Sequence, residues 1–417
     1  MSVRARVVVV GSGFGGLNAA LHLARMPVEV TVIDRDNYHG FWPLLYQVAT
    51  AALGSDDIAH PIRSTYGRFS NITVRLGTVT DVDLDAKAVA IGEERIPYDY
   101  LVLATGSSAS DFGIEGVAKY AFPLKTIPDA VRLRNHILST FEAADSHPSE
   151  GGPGSLTTVL VGGGPTGVEM AGALAELIER NLAGDFRHLD VSKARVILIE
   201  LSDHLLPGFS ERSQQAALET LRRKGVEVCL ETKLRRATEE GVELDDGSTI
   251  DAAIVVWTAG VKANPLAESI PGDKGRGGTL AVESDLSLPD HHEVFVIGDL
   301  ASRPPGDGEP LPQVAQVAIQ GGKHVARNIQ RRQAGKPTRP FRYHDHGSMA
   351  TIGRRAAVAD LPGGIVLTGT VGWMAWLLVH LVFLVGFRNR VVVLVNWAWN
   401  YVTWERATRV ILDQDAG

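Results

Sequence analysis

Val7-Val8-Val9-Val10-Gly11-Ser12-Gly13-Phe14-Gly15-Gly16 is the stretch on which the fold turns. The valine run predicts a buried strand, and the glycines after it predict a tight turn into a helix. The helical pattern runs to about Met26, and a second strand from Val28 to Ile33 ends at Asp34. In a Gly-x-Gly-x-x-Gly loop the first glycine makes the turn, the second lets a pyrophosphate approach the backbone, and the third lets helix pack on strand. The helix N-terminus then faces the phosphates with its partial positive charge. Gly11, Gly13 and Gly16 fit these roles, and Asp34 is placed to accept a hydrogen bond from a ribose hydroxyl.

One such loop is weak evidence, but the design recurs. Thr158-Val159-Leu160-Val161 leads into Gly162-Gly163-Gly164-Pro165-Thr166-Gly167, a helix continues beyond Glu176, and the strand Arg195 to Ile199 ends at Glu200. Gly162, Gly164 and Gly167 take the three glycine roles. Glu200 repels a 2′-phosphate and is followed by Leu201 rather than arginine, which favours NADH over NADPH at the second site. Tyr100 to Gly106 is a buried strand entering a glycine turn, and Ile254 to Gly260 repeats it. The chain is therefore expected to be α/β, with two Rossmann-like nucleotide-binding folds arising from an internal duplication. Two dinucleotide sites suggest one cofactor held permanently and one exchanging as substrate. Hydride passes directly only if nicotinamide stacks on a flavin, so the permanent cofactor should be non-covalent FAD.

Composition narrows the rest. The 417 residues allow two or three domains, and a net charge of −7 leaves no nucleic-acid footprint. The single cysteine, Cys229, excludes an internal disulfide and a cysteine-pair relay, and reads as a buried structural thiol on a strand. No metal site is expected. Nothing resembles a signal peptide, which points to the cytoplasmic side.

These motifs resemble the two-dinucleotide-fold flavoproteins over nearly the whole chain. Within that superfamily, Phe41-Trp42-Pro43-Leu44-Leu45-Tyr46-Gln47-Val48-Ala49-Thr50 and Ala315-Gln316-Val317-Ala318-Ile319-Gln320 are similar to signatures of type II NADH dehydrogenases. The resemblance implies FAD contacts at Gly11, Ser12, Gly13, Phe14, Gly15, Gly16, Asp34, Arg35, Thr105, Gly106, Asp299, Gln316 and Val317. It places NADH at Gly162, Gly164, Pro165, Thr166, Gly167, Glu200 and Gly260. It places quinone at Gln47, Gln316, Gln320 and Gly353, with Glu169, Gln316 and Gln320 as catalytic residues. Where many relatives carry Asp-Lys-Gly, this chain has Asp345-His346-Gly347. The implied domains are 1–115 and 261–340 for FAD, 116–260 for NADH, and 341–417 for membrane association and quinone access.

From Lys336 to the end the chain carries nine basic residues against five acids, about +4 on an acidic body, and five of the seven tryptophans, a residue that suits the lipid headgroup zone. Trp373 to Phe387 is apolar, but as a helix it would be about 22 Å long, short of the ~30 Å hydrocarbon core. The glycines upstream (Gly363, Gly364, Gly369, Gly372) argue against one longer helix. Helices lying in one leaflet are expected, with Leu394, Trp397, Tyr401, Trp404 and Thr408 on one face and Glu405 paired with Arg409. The reading is an NADH:quinone oxidoreductase, monotopic on the cytoplasmic face, running a ping-pong relay without proton pumping. A homodimer stays open. The rival readings are a soluble NADH:ferredoxin-type reductase and an NADH-sensing, apoptosis-inducing-factor-like interaction flavoprotein.

Overall fold

Val7 to Val10 lie on the central strand of a sheet and are fully covered, each such side chain contributing about 1.5–3 kcal/mol by burial. The computed structural model describes residues 4–147, 154–186, 188–303, 311–403, 405–406 and 408–411. They form two compact units, the first from residues 1–40, 59–108 and 261–345, the second from residues 41–58, 109–260 and 346–417. The expected loop at 147–155 falls largely outside the described residues.

In the first unit a six-stranded sheet runs Ser287–Leu288, His291–Val296, Tyr100–Leu103, Ala5–Val10, Val28–Asp34, Ile72–Leu76. All its pairings are parallel except the antiparallel edge pair Ser287–Leu288 with His291–Val296. Helix Phe14–Leu23 follows the central strand. The segment after residue 260 returns to add the strand His291–Val296 beside Tyr100–Leu103, and it delivers Gly298 and Asp299 at that strand's end.

The second unit repeats the design with five parallel strands in the order Phe122–Pro123, Ile254–Trp257, Thr157–Val161, Arg195–Ile199, Glu227–Cys229. Helix Pro165–Leu177 follows the central strand. Helix Ile127–Ser146 is started by a capping box in which Thr126 and Asp129 satisfy each other's backbone N–H groups. Cys229 is half-buried rather than buried, because Glu227–Cys229 is the edge strand of this sheet.

The tail adds an antiparallel sheet, Ser348–Gly353, Ala356–Leu361 and Ile365–Thr368, then helices Gly369–Phe383 and Phe387–Thr403. The sheet packs so closely on helix Pro165–Leu177 that a Cβ at Gly172 would lie 2.1 Å from the Ile352 carbonyl oxygen. Gly369 and Gly372 belong to the first tail helix, whereas Gly363 and Gly364 lie in the turn ahead of the last strand. No helix among the described residues is long and apolar enough to cross a membrane. The second helix carries Asn389, Asn396 and Asn400 at i, i+7, i+11 spacing, one helical face. Their amides donate to the Asp57 carbonyl (3.0 Å), the Asp57 carboxylate (3.1 Å) and the Ala52 carbonyl (3.2 Å), which fastens residues 41–58 to this helix.

Two expectations about the tail are corrected. Helix Phe387–Thr403 ends before Glu405, so Glu405 and Arg409 do not pair: Glu405 accepts from the Trp399 indole and Arg409 bridges Asp185 at 2.8 Å. Of the tryptophans expected at lipid headgroups, Trp376 is buried and Trp373 and Trp397 are half-buried, while Trp399 is exposed. Trp404 lies outside the described residues. The tryptophan faces are turned inward because residues 41–58 and the Pro165–Leu177 helix supply surfaces for them to cover.

Candidate functional site

The two glycine loops are built alike, atom by atom. Gly11 has φ +95°, and a Cβ there would lie 2.5 Å from the Ala104 carbonyl oxygen; Gly162 has φ +109°, with Ala259 Cα 2.8 Å from its Cβ position. At Gly16 a Cβ would meet the Gly11 oxygen at 1.8 Å, and at Gly167 the Gly162 oxygen at 1.8 Å. At Gly13 and Gly164 nothing lies within 4 Å. Those two glycines face open space at a helix start, the geometry that admits a pyrophosphate.

The strand-end acids brace the same loops. Asp34 accepts from the Ser12 N–H at 2.5 Å and the Asp36 N–H at 2.9 Å; Glu200 accepts from the Gly163 N–H at 2.5 Å and the Ser202 N–H at 2.8 Å. Burial pushes the Asp34 carboxyl above its ordinary value, against the pull of the two N–H groups. Arg35 pairs with Asp36 on the surface. Around the first loop, Asp299 accepts from Ser107 Oγ at 2.5 Å, Gly106 turns with φ +68°, and Val317 is buried. Phe14 meets His39 edge-on at 5.3 Å. His39 Nδ1 donates to the Ser12 carbonyl at 2.8 Å, and burial pushes the imidazole down to about 4, so it is neutral.

Two buried polar atoms here, Thr105 Oγ1 and His39 Nε2, have no protein partner. Orphaned groups of this kind call for a ligand or water. Together with the open face at Gly13, they fit a bound dinucleotide such as FAD. At the second loop Pro165 and Thr166 are exposed at the helix start. Gly260, φ +150°, lies under the Phe112 ring, which a Cβ would strike at 2.4 Å.

Of the residues expected at quinone, the structure brings Gln47, Glu169 and Gly353 together in one cavity of the second unit. Aromatic walls come from Tyr46, Trp373, Trp376, Trp397 and Tyr401. Gln47 is held at both ends, accepting from the Trp397 indole at 2.8 Å and donating to the Tyr46 hydroxyl at 2.7 Å. Burial pushes the Glu169 carboxyl up to about 8, opposed by the Thr351 N–H at 3.3 Å. It is therefore predominantly protonated at neutral pH. Gly353, φ +133°, keeps space for a contact its side chain would destroy: a Cβ would sit 2.3 Å from Glu176 Oε1 and 2.7 Å from Lys224.

Gln316 and Gln320 lie in the first unit, on helix Ala315–Gln333. Gln320 donates to the His344 carbonyl at 2.8 Å and accepts from the His344 N–H at 3.0 Å, so its amide clamps backbone. Gln316 accepts from the Tyr343 hydroxyl at 3.4 Å.

Arg406, one of the tail's nine basic residues, has a role that its sequence context does not signal. Arg406 is buried; it donates to the Thr50 carbonyl at 2.7 Å and the Ala173 carbonyl at 3.2 Å, and lies 3.8 Å from Glu176. Burial pulls its guanidinium down to about 10. Trp376 was missed as a cavity residue too, although its i, i+4 spacing to His380 on an apolar helix was a usable signal. The two rings stack at 4.0 Å, and burial pushes His380 down to about 4, a core histidine donating to the Trp376 carbonyl.

Comparison with known proteins places this geometry. Residues 5–322 match the pyridine nucleotide-disulphide oxidoreductase family, and residues 345–403 match the NDH2 C-terminal domain. The type II NADH:quinone oxidoreductase Ndh of Mycobacterium tuberculosis is 41% identical, covering 99% of this chain and 91% of that protein. The type II NADH:quinone oxidoreductase of Staphylococcus saprophyticus is 31% identical, covering 86% and 90%. Among solved structures, NDH2 of Plasmodium falciparum in complex with NADH has the same fold, with a TM-score of 0.86 at 20% identity, covering 99% of this chain and all of that one.

Proposed function

The chain belongs to the pyridine nucleotide-disulphide oxidoreductases and, within them, to the type II NADH:quinone oxidoreductases, and on that footing we propose that it oxidises NADH and passes the two electrons to a membrane quinone. The lone cysteine already sets it apart from relatives that work through a cysteine pair. FAD, when bound, supplies the two-electron chemistry that accepts hydride and gives it up again. The first loop, with Gly13 open to the pyrophosphate and Thr105 and Asp299 around it, is assigned to FAD. The second, with Gly164 open and Glu200 at the strand end, is assigned to NADH. Glu200 favours NADH because a carboxylate there repels a 2′-phosphate.

The observation that carries the quinone assignment is a protonated carboxyl buried in an aromatic cavity. Quinone reduction consumes protons, and Glu169, held neutral by burial, can donate one at neutral pH. The walls exclude water while matching a flat apolar headgroup. Gln47 and Gly353 shape the cavity by holding Tyr46 and admitting Glu176.

The tail helices each leave one apolar stripe exposed, Val371, Met374, Leu378 and Val382 on the first and Phe387, Val391, Val395 and Val402 on the second. Stripes at this spacing suit insertion into one leaflet, and Arg388 and Arg390, exposed beside them, suit lipid phosphates. The protein is thus assigned to the cytoplasmic membrane surface as a monotopic enzyme. The test is FAD released from purified protein together with steady-state NADH-dependent reduction of a vesicle-borne quinone. One FAD per chain and sustained turnover are expected. Turnover with ferredoxin in place of quinone would favour the soluble reductase instead.

A further inference from the structure

Phe112 stands in a backbone conformation that phenylalanine rarely takes. Its φ is +51°, in the left-handed region, and Gly113 follows at φ +70°. The Ile114 N–H closes the turn on the Asp111 carbonyl at 2.9 Å. Left-handed backbone at two successive central positions suits asparagine and glycine, and a bulky side chain there is strained. Among the described residues two other large apolar side chains stand on positive-φ backbone, Leu206 and Leu286, and both are buried. Phe112 leaves 60% of its surface exposed, so core packing does not account for it. Strain of this kind persists where the surroundings impose it, and it gathers at ligand sites.

The surroundings impose it through Ser110. The Trp257 indole donates to the Ser110 carbonyl at 2.6 Å, and the Ser110 N–H donates to the Gly260 carbonyl at 3.1 Å. The Phe112 ring is thereby laid over Gly260 and edge-on to Trp257, with centroids 6.3 Å apart. Trp257 ends the strand Ile254–Trp257, which flanks the central strand Thr157–Val161 on one side; Arg195–Ile199, which leads to Glu200, flanks it on the other. The three strands are parallel, so Gly162, Glu200 and Gly260 emerge at one edge of the sheet. A dinucleotide lies across such an edge, in the crevice where the connections diverge. With its pyrophosphate at Gly164 and its adenosine ribose toward Glu200, the other half is directed over the end of Ile254–Trp257, where the ring is exposed.

From this we infer that Phe112 forms a wall of the NADH site, its ring packing against the nicotinamide half of the dinucleotide. The inference rests on the assignment of the second loop to NADH. It adds the residue that holds the flat nicotinamide ring, by the stacked or edge-on contact that aromatic rings favour. Gly260 makes this possible, because a Cβ there would lie 2.4 Å from the ring's Cζ.

Phe112→Asn removes the ring and keeps the turn, since asparagine tolerates the left-handed conformation. The probes are NAD+ and ADP-ribose, titrated calorimetrically into oxidised holoenzyme; ADP-ribose carries everything but the nicotinamide. Affinity for NAD+ should fall about three- to tenfold in the variant, while affinity for ADP-ribose is unchanged. Phe112→Tyr should keep wild-type affinity for both. Unchanged NAD+ affinity in Phe112→Asn would overturn the inference. Equal weakening of both ligands would overturn it too, by marking the ring as a support of the loop alone. Should Phe112→Asn fold poorly, Phe112→Gly, with the residue most at ease in this turn, is read in the same way. Wild-type holoenzyme that binds neither ligand would strike the NADH assignment itself, a separate outcome from unchanged binding in the variant.

Discussion

The indole of Trp397 donates a 2.8 Å hydrogen bond to the side-chain oxygen of Gln47, 350 residues earlier in the chain. Gln47 passes the constraint on by donating to Tyr46. The bond joins the tail to the short helix Leu45–Ala49, and both partners line the cavity that holds Glu169. Trp397→Phe should free Gln47 and loosen Tyr46. A several-fold rise in the half-saturating quinone concentration is expected in steady-state assays at fixed NADH, with FAD content unchanged.

The duplicated loops separate packing glycines from ligand-facing ones. Gly16→Ala would drive a methyl group to 1.8 Å from the Gly11 oxygen, and Gly167→Ala repeats that clash against Gly162. Both variants should fail to fold. Gly13→Ala and Gly164→Ala place a methyl group where nothing lies within 4 Å. Both should fold with near wild-type melting temperatures. The first should lose FAD on gel filtration, and the second should keep FAD and show a raised KM for NADH.

Glu169 gives a pH dependence with a definite sign. Burial raises its folded-state value from 4.5 to about 8. The folded protein therefore holds one more proton than the unfolded chain between those limits, and this group's contribution to stability is fully present below 4.5 and is lost as pH rises toward 8. Chemical denaturation across pH 5–8 (about the range in which a shifted carboxyl titrates) should show Glu169→Gln with a flatter stability profile than wild type. Loss of the acid should also slow quinone reduction on the order of 10²-fold, and the wild-type decline above pH 8 should disappear with it.

Arg406 holds the carbonyls of Thr50 and Ala173 while lying 3.8 Å from Glu176. Arg406→Met leaves two buried carbonyls and part of the Glu176 charge unanswered, at a cost of about 3 kcal/mol. Urea unfolding measures the loss. Arg406→Lys should recover part of it, since one ammonium can reach only some of those acceptors.

How much of this could be read from residues alone follows from how local each signal is. The glycine loops and their acids were legible because strand, turn, helix and strand-end carboxylate lie within about forty residues and obey one steric logic. What escaped reading depends on which remote segment covers which face. The tail's tryptophans were expected at lipid because aromatic rings suit that interface, yet Trp376 is covered by its own unit. Arg406 looked like one more surface charge, and only the fold brings Thr50 and Ala173 to it. Gln320 has the right chemistry for a quinone oxygen, and only the fold shows that its amide also holds the His344 backbone.

The apolar stripes give a separable test of the membrane assignment. Leu378→Asp with Val395→Asp puts a charge on each exposed face. Vesicle binding should weaken by at least about 10²-fold, since each apolar side chain is worth roughly 1.5–3 kcal/mol when buried. Turnover with water-soluble menadione should persist.

The central claim is that one chain takes electrons from NADH at one site and delivers them to a quinone at another. Sequential-mixing stopped-flow on the purified holoenzyme tests it most directly. Anaerobic NADH should bleach the flavin absorbance within the turnover time, and quinone in the second mix should restore it at a rate that accounts for steady-state turnover. Bleaching that quinone cannot reverse, with the protein otherwise intact, would contradict the account.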